Sequence, residues 1–293
     1  MSNIDLILWL QGWASPLLTS VFTWITRLGN EEFYLLLIPF IYWSVDRKLG
    51  FRLFYVFTLS MLINVGLKEY FKTPRPSPEQ VRVIYPESGE GYAFPSGHAQ
   101  GSTTLWGYLA TKVSRTYFTA LVVIIVLLVS ASRLYLGLHH PVDVLAGIVI
   151  GLGLLWVAGL VEKAGDAITL SLPLRLFLSV LPLGLLPFVG GLYFAKMVGY
   201  LVGGTVGYAL ESGTGGTARA GLGSQVVKLV LGYGIFLGLR FGTSGVIPDE
   251  TLLQVLRYGV IGLAGTFFMP VLFRRLGLER AQAARYRAAG GSY

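Results

Sequence analysis

The sequence contains no cysteine, only three histidines, and charged side chains at just 13% of its 293 positions. The absence of thiols excludes disulfides, thiolate metal sites and a cysteine nucleophile. The low charge content, about half the ~25% usual in soluble domains, excludes a water-exposed surface over most of the chain. Segments of alternating polar and apolar residues are few, so a β-barrel is not expected. No basic stretch is interleaved with aromatics in a soluble module, so the net charge of +8 is not read as a nucleic-acid signal. The opening Met-Ser-Asn-Ile-Asp lacks a basic region and no A-x-A site follows, so it does not read as a cleaved signal peptide. What the chain has in abundance is apolar residue, 54% of the total, arranged in runs of the ~20 residues that cross a bilayer. The expected class is an all-α polytopic membrane protein.

Nine spans are expected at 31–46, 50–70, 96–112, 116–136, 138–161, 175–194, 196–211, 224–241 and 252–273. Residues 4–26 are apolar but interrupted by Gln11, Gly12 and Pro16, which suits an interfacial segment better than a span. With nine spans, Arg47, Lys48, Arg52, Lys112, Arg115, Lys163, Arg175, Arg219, Lys228 and the basic tail (Arg274, Arg275, Arg280, Arg285, Arg287) all fall on one side. Cationic loops stay in the cytoplasm, so the N-terminus is expected outside and the C-terminus inside. The glycines four apart, Gly147 with Gly151 and Gly199 with Gly203 and Gly207, read as close helix packing.

Three polar clusters lie at the outer ends of these spans, and they hold all three histidines. The first runs from Lys68 through Arg75 to Pro76. The second is Pro95-Ser96-Gly97-His98. The third is Ser132-Arg133 followed by His139-His140-Pro141 and Asp143. A polar loop, 71–95, joins the first two and reads as a linker or a lid.

A lone cation at a membrane boundary reads as a snorkelling side chain. Lys68, Arg75 and Arg133 converging on one face instead suit a phosphoryl group, because guanidinium forks match its oxygens. Ser96-Gly97 opens a helix, whose free N–H groups bind phosphate; the same serine also reads as an ordinary N-cap. Asp143 lies one helical turn beyond His139. By itself the pair reads as a helix-surface contact. Beside the other clusters, the carboxylate would fix the imidazole tautomer and leave the other ring nitrogen free to attack phosphorus. His98 would then serve as the acid that protonates the leaving oxygen and the base that activates water. His140 is assigned to structure or to the rim. Histidines and an aspartate can hold zinc, but three cations on the same face oppose a divalent ion, so no metal or other cofactor is expected.

Taken together, K-x6-R-P (Lys68, Arg75, Pro76), P-S-G-H (Pro95, Ser96, Gly97, His98) and S-R-x5-H-x3-D (Ser132, Arg133, His139, Asp143) resemble the signature of the type 2 phosphatidic acid phosphatase superfamily, with no departure at any motif position. The resemblance implies a helical-bundle core, shared with vanadium haloperoxidases, that faces the periplasm or lumen. It implies metal-independent dephosphorylation through a phosphohistidine at His139, with His98 as acid/base, Asp143 supporting the nucleophile, and Lys68, Arg75, Ser96, Gly97 and Arg133 holding the phosphate. The expected organisation is an interfacial segment at 1–30, the core at 31–161, additional C-terminal transmembrane helices at 162–273 and a basic cytoplasmic tail at 274–293. The nine-span layout also resembles the glucose-6-phosphatase branch of the superfamily.

The expected function is hydrolysis of a membrane lipid phosphate or pyrophosphate at the extracytoplasmic face of the cell membrane, the bilayer being the other partner. Undecaprenyl pyrophosphate, phosphatidylglycerol phosphate and phosphatidic acid are the candidates, and Glu79, Glu87 and Glu90 are candidates for selecting among them. Alternatives are a sugar-phosphate phosphatase, a lipid phosphotransferase and a transporter on the same fold.

Overall fold

The computed structural model describes residues 4–89, 91–165, 171–211 and 220–279. Among them all regular structure is helical: α1 (Asp5–Gly12), α2 (Pro16–Thr26), α3 (Glu31–Phe40, continued by a π-turn Ile41–Val45), α4 (Arg47–Phe71), α5 (Gly97–Lys112), α6 (Thr116–Tyr135), α7 (Pro141–Gly165), α8 (Leu172–Val180), α9 (Leu192–Glu211), α10 (Leu222–Gly242), α11 (Thr251–Leu263, continued by a π-turn Ala264–Phe268) and α12 (Met269–Arg275). Among the described residues, five helical stretches are long and apolar enough to cross a membrane: α4, α6, α7, α10 and the run from α11 through α12. The chain is a multi-span membrane protein. Leu127, Leu145, Val149, Trp156 and Val161 all point outward from it, an arrangement that water would penalise and acyl chains accept.

Four expected spans, 31–46, 96–112, 175–194 and 196–211, are not among these five, and the third of them is broken outright. The run 175–194 is as apolar as its neighbours, yet it forms only the nine-residue α8 and a 3-10 turn, Leu181–Leu185, before α9 begins at Leu192. Pro182 and Pro187 each remove an N–H from the helical ladder, with Gly184 between them, so hydropathy outlasts helicity here. The N-terminal segment forms two helices of 8 and 11 residues, too short to span. Trp9, Trp13 and Trp24 are exposed on it, as interfacial aromatic anchors are.

The chain divides into two compact units, residues 1–34 with 59–168 and residues 35–58 with 169–293. In the first unit α5 packs on α6 and α7. Glycine makes the α5–α7 approach close: a Cβ at Gly147 would lie 2.7 Å from the Ser96 carbonyl, and one at Gly151 2.8 Å from Thr103. Buried amides tie α4 to the start of α5. Asn64 donates to Gln100 Oε1 at 2.8 Å and to the Pro95 carbonyl at 3.3 Å. Gln100 in turn donates to the Ser60 carbonyl at 2.7 Å. Inside a membrane bundle such bonds contribute about 0.6 kcal/mol each on average, and the four-residue spacing of Ser60 and Asn64 on α4 fixes the register.

In the second unit α9 lies against α11 with almost no side chain between them. A Cβ at Gly203 would fall 1.9 Å from the Gly259 carbonyl. Tyr42, Trp43, Tyr200, Phe236, Tyr258 and Phe273 form its aromatic core. Three basic residues that the sequence assigns to solvated cytoplasmic ends are instead paired. Arg47 bonds Glu211 and Glu279, Arg274 bonds Glu211 at 2.7 Å, and Lys228 lies 3.3 Å from Glu279. Arg219 and the tail from Arg280 onward lie outside the described residues.

Candidate active site

Loop and helix-end geometry in the first unit brings the three sequence clusters together. Ser96 caps α5: its backbone is extended and its Oγ accepts from the Ala99 N–H at 3.5 Å. Its own N–H donates to the Asp143 carbonyl at 2.9 Å, so the second and third clusters share a main-chain bond. Gly97 follows with Asn64 close by; a Cβ there would sit 3.3 Å from Asn64 Oδ1.

Arg75 sits between the loop 71–95 and the histidine. Its Nε donates to the Gly91 carbonyl at 2.9 Å and its Nη1 to the Leu138 carbonyl at 2.6 Å. The same Nη1 lies 3.1 Å from His139 Nε2. Burial lowers the Arg75 guanidinium to about 10, which leaves it cationic at neutral pH. Lys68 Nζ bonds the Tyr92 carbonyl. Arg133 is fully buried, and donates to Thr26 Oγ1 at 2.7 Å, to Ser88 Oγ at 2.9 Å and to the Ser88 carbonyl at 2.6 Å. These acceptors are all neutral, so the guanidinium keeps its full charge.

His139 is 1% exposed and lies just before α7, with Pro141 at the first turn of that helix. A guanidinium can only donate, so Arg75 leaves the lone pair on Nε2 and the proton on Nδ1. That Nδ1 faces Asp143 Oδ2 at 3.4 Å. Asp143 is fully buried and its Oδ2 accepts from the His140 N–H at 2.8 Å. Burial first, and then the charges of Arg75, Arg133, Lys68 and His98, push the His139 imidazole well below its ordinary range. It is therefore neutral at physiological pH.

His98 is held by residues that carry no motif. Its Nε2 lies 2.9 Å from Asn30 Oδ1 and 3.2 Å from Ser88 Oγ. An amide oxygen only accepts, so Nε2 bears a proton. Gly29 makes room for the ring; a Cβ there would lie 2.8 Å from His98 Cδ2. Thr26, Asn30 and Ser88 were not singled out by the sequence, since isolated polar residues carry no spacing pattern. Ser88 alone had a signal, its place in the long polar loop. Gln11, read as an interruption, is a clamp: its amide bonds the Arg82 backbone at both ends and the Tyr135 carbonyl at 2.9 Å. Glu79 and Glu87 are exposed, and Glu90 lies outside the described residues. Among the described residues no three histidine, aspartate or glutamate side chains converge as metal ligands would.

Fold and site thus define a helical membrane protein in which buried cations surround a neutral imidazole, an environment suited to a phosphate ester. Residues 49–164 match the PAP2 superfamily, and residues 195–283 match the transmembrane extension of PAP2 superfamily phosphatases. Phosphatidylglycerophosphatase B of Bacillus subtilis is 33% identical over 50% of this chain and 77% of its own length. The chain belongs to the PAP2 superfamily. Human sphingosine-1-phosphate phosphatase 2 is 33% identical over 44% of this chain and 34% of its own length, so the chain spans about a third of that relative. The crystal structure of Aquifex aeolicus LpxE superposes with a TM-score of 0.49 at 25% identity, covering 54% of this chain and 94% of the other.

Proposed function

We propose that this protein is a metal-independent lipid phosphate phosphatase working through a phosphohistidine at His139. The observation that carries the reading is the orientation of that ring, with Nδ1 towards buried Asp143 and Nε2 towards Arg75. In the first step Nε2 attacks phosphorus. The bond from phosphorus to the ester oxygen breaks, and His98, entering as the imidazolium once the phosphate dianion is bound, gives that oxygen a proton and is left neutral. In the second step His98 takes a proton from water, the hydroxide attacks the phosphohistidine, and inorganic phosphate leaves with the imidazole restored. Lys68, Arg75, Arg133 and the α5 N-terminus at Ser96-Gly97 hold the three phosphoryl oxygens. Charge spread over those oxygens is what such a site stabilises.

The substrate class is a phosphate monoester on a lipid. A monoester dianion suits three cations, and the bilayer delivers the tail. The named relatives act on sphingosine 1-phosphate and phosphatidylglycerol phosphate, which supports a monoester over undecaprenyl pyrophosphate. Catalysis is assigned to the extracytoplasmic face, with the C-terminus cytoplasmic. The sugar-phosphate alternative rests on span count alone, and glucose 6-phosphate enters the test below as a separate substrate.

The test is phosphate release by purified full-length protein in EDTA, offered sphingosine 1-phosphate, phosphatidylglycerol phosphate, phosphatidic acid, undecaprenyl pyrophosphate and glucose 6-phosphate. Release from a lipid monoester that persists in EDTA and disappears in His139→Ala supports the proposal. Release that needs a divalent ion, or that survives His139→Ala, overturns it. Turnover only in the presence of an alcohol acceptor would identify a phosphotransferase instead.

A further inference from the structure

The second unit holds two adjoining cavities around the α10–α11 turn that the chemistry at His139 does not use. One, of about 360 Å³, is lined by Lys196 of α9, Arg240 of α10, Arg257 and Tyr258 of α11, and the turn residues Ser244 and Asp249. The cations surround one aromatic ring: Lys196 Nζ lies 5.8 Å from the Tyr258 centroid, and the Arg240 and Arg257 guanidinium carbons 5.2 Å each. Asp249 is the one carboxylate in the lining, and its Oδ1 accepts from Gln254 at 3.1 Å. Arg257 is 7% exposed, and its hydrogen bonds go to Thr243 Oγ1, Gln254 Oε1 and the Arg240 carbonyl, all neutral acceptors. With three cations against one carboxylate, the lining carries a net positive charge that favours an anion.

The second cavity, of about 340 Å³, is apolar. Leu239, Val246, Leu253, Leu256 and Val260 line it, and it shares Ile247, Pro248 and Arg257 with the first. A cationic chamber joined at Arg257 to an apolar one of similar size has the two-part character of an anionic amphiphile. Free phosphate would have no use for the second chamber, and a zwitterionic head would not neutralise the first.

We propose that this double chamber binds one anionic phospholipid, its phosphate among Lys196, Arg240 and Arg257 and one acyl chain along Leu253, Leu256 and Val260. The three histidines of the chain all lie in the other unit, so this lipid is held rather than cleaved, and the proposal does not depend on the chemistry at His139.

The experiment is native mass spectrometry of the full-length protein released from neutral detergent, with phosphatidylglycerol or phosphatidylcholine added. Wild type is expected to retain one phosphatidylglycerol and to bind phosphatidylcholine at least tenfold more weakly. The Lys196→Gln/Arg240→Gln double variant, and separately Leu253→Trp to fill the apolar chamber, are each expected to lose tenfold or more in phosphatidylglycerol retention. Equal retention of the two lipids by wild type overturns the proposal and requires no variant to fold. Undiminished retention in both variants overturns it as well. Displacement of the lipid by millimolar inorganic phosphate as readily as by dihexanoyl phosphatidylglycerol would show a free-phosphate site and overturn the lipid assignment.

Discussion

Replacing Asp143 by asparagine tests the nucleophile's support while leaving the fold nearly untouched. The Asp143 carbonyl still accepts from Ser96, and the amide oxygen can keep the His140 N–H. What changes is the group facing His139 Nδ1 at 3.4 Å. Phosphorylation of Nε2 makes the ring cationic, and a carboxylate at that distance stabilises the cation by about 5 kcal/mol at an effective dielectric of ~20. An amide loses most of this. If its NH₂ turns toward Nδ1, it also forces the proton onto Nε2 and blocks attack. At about 1.4 kcal/mol per decade, kcat should fall by roughly three orders of magnitude. KM should change little, because Asp143 supports the nucleophile and does not hold the phosphate. The assay is phosphate release from a lipid monoester at saturating concentration, with alkaline-quenched protein probed for phosphohistidine. A loss below tenfold, or a phosphohistidine that accumulates as in wild type, would refute the orientation argument.

Other consequences are open to measurement. The His139 imidazole is held well below its ordinary range, partly by the Arg75 charge, so its protonation should not limit kcat/KM until the pH falls below about 6.5. In Arg75→Gln that limb should move to higher pH, because removing a neighbouring cation raises the imidazole pKa; an unmoved limb would contradict the assignment. Asn30→Leu removes the acceptor for His98 Nε2 and should lower kcat by at least tenfold within the 10²–10⁴ worth of a general acid. Thermal unfolding and a preserved KM would separate that loss from misfolding. Gly147→Ala drives a methyl into the Ser96 carbonyl, whereas Gly153 has open space. Activity should therefore collapse in the first alanine variant and persist in the second. Gly203→Ala meets the Gly259 carbonyl and should cost more than ~2 kcal/mol of stability, read as a drop in Tm.

The sequence made the outline of the spans legible because lipid imposes one rule, an apolar run, on every segment that crosses it. The rule fails at 175–194, where the run continues but Pro182, Gly184 and Pro187 break the helix. It fails differently at Arg47, Lys228 and Arg274. Their charge was legible, but carboxylate partners more than 50 residues away in sequence were not. In the site, the three motifs come together as expected, because each motif residue is a charged or ring-bearing type that an apolar chain retains only for cause. Thr26, Asn30 and Ser88 escaped because their contribution is a few hydrogen bonds to His98 or Arg133, made by side chains or backbone that carry no charge and no spacing pattern. Nothing about a lone hydroxyl or amide in sequence announces which side chain will meet it.

The bond from the Ser96 N–H to the Asp143 carbonyl belongs to the main chain. The spacing between the Ser96 turn and Asp143 is therefore set by backbone, with Gly147 keeping the approach open. Side chains elsewhere in the bundle can be exchanged without retuning that gauge. In the proposed reaction the reacting atoms are thus aligned by a part of the molecule that every residue type shares, which leaves the side chains that would meet a lipid tail free to vary.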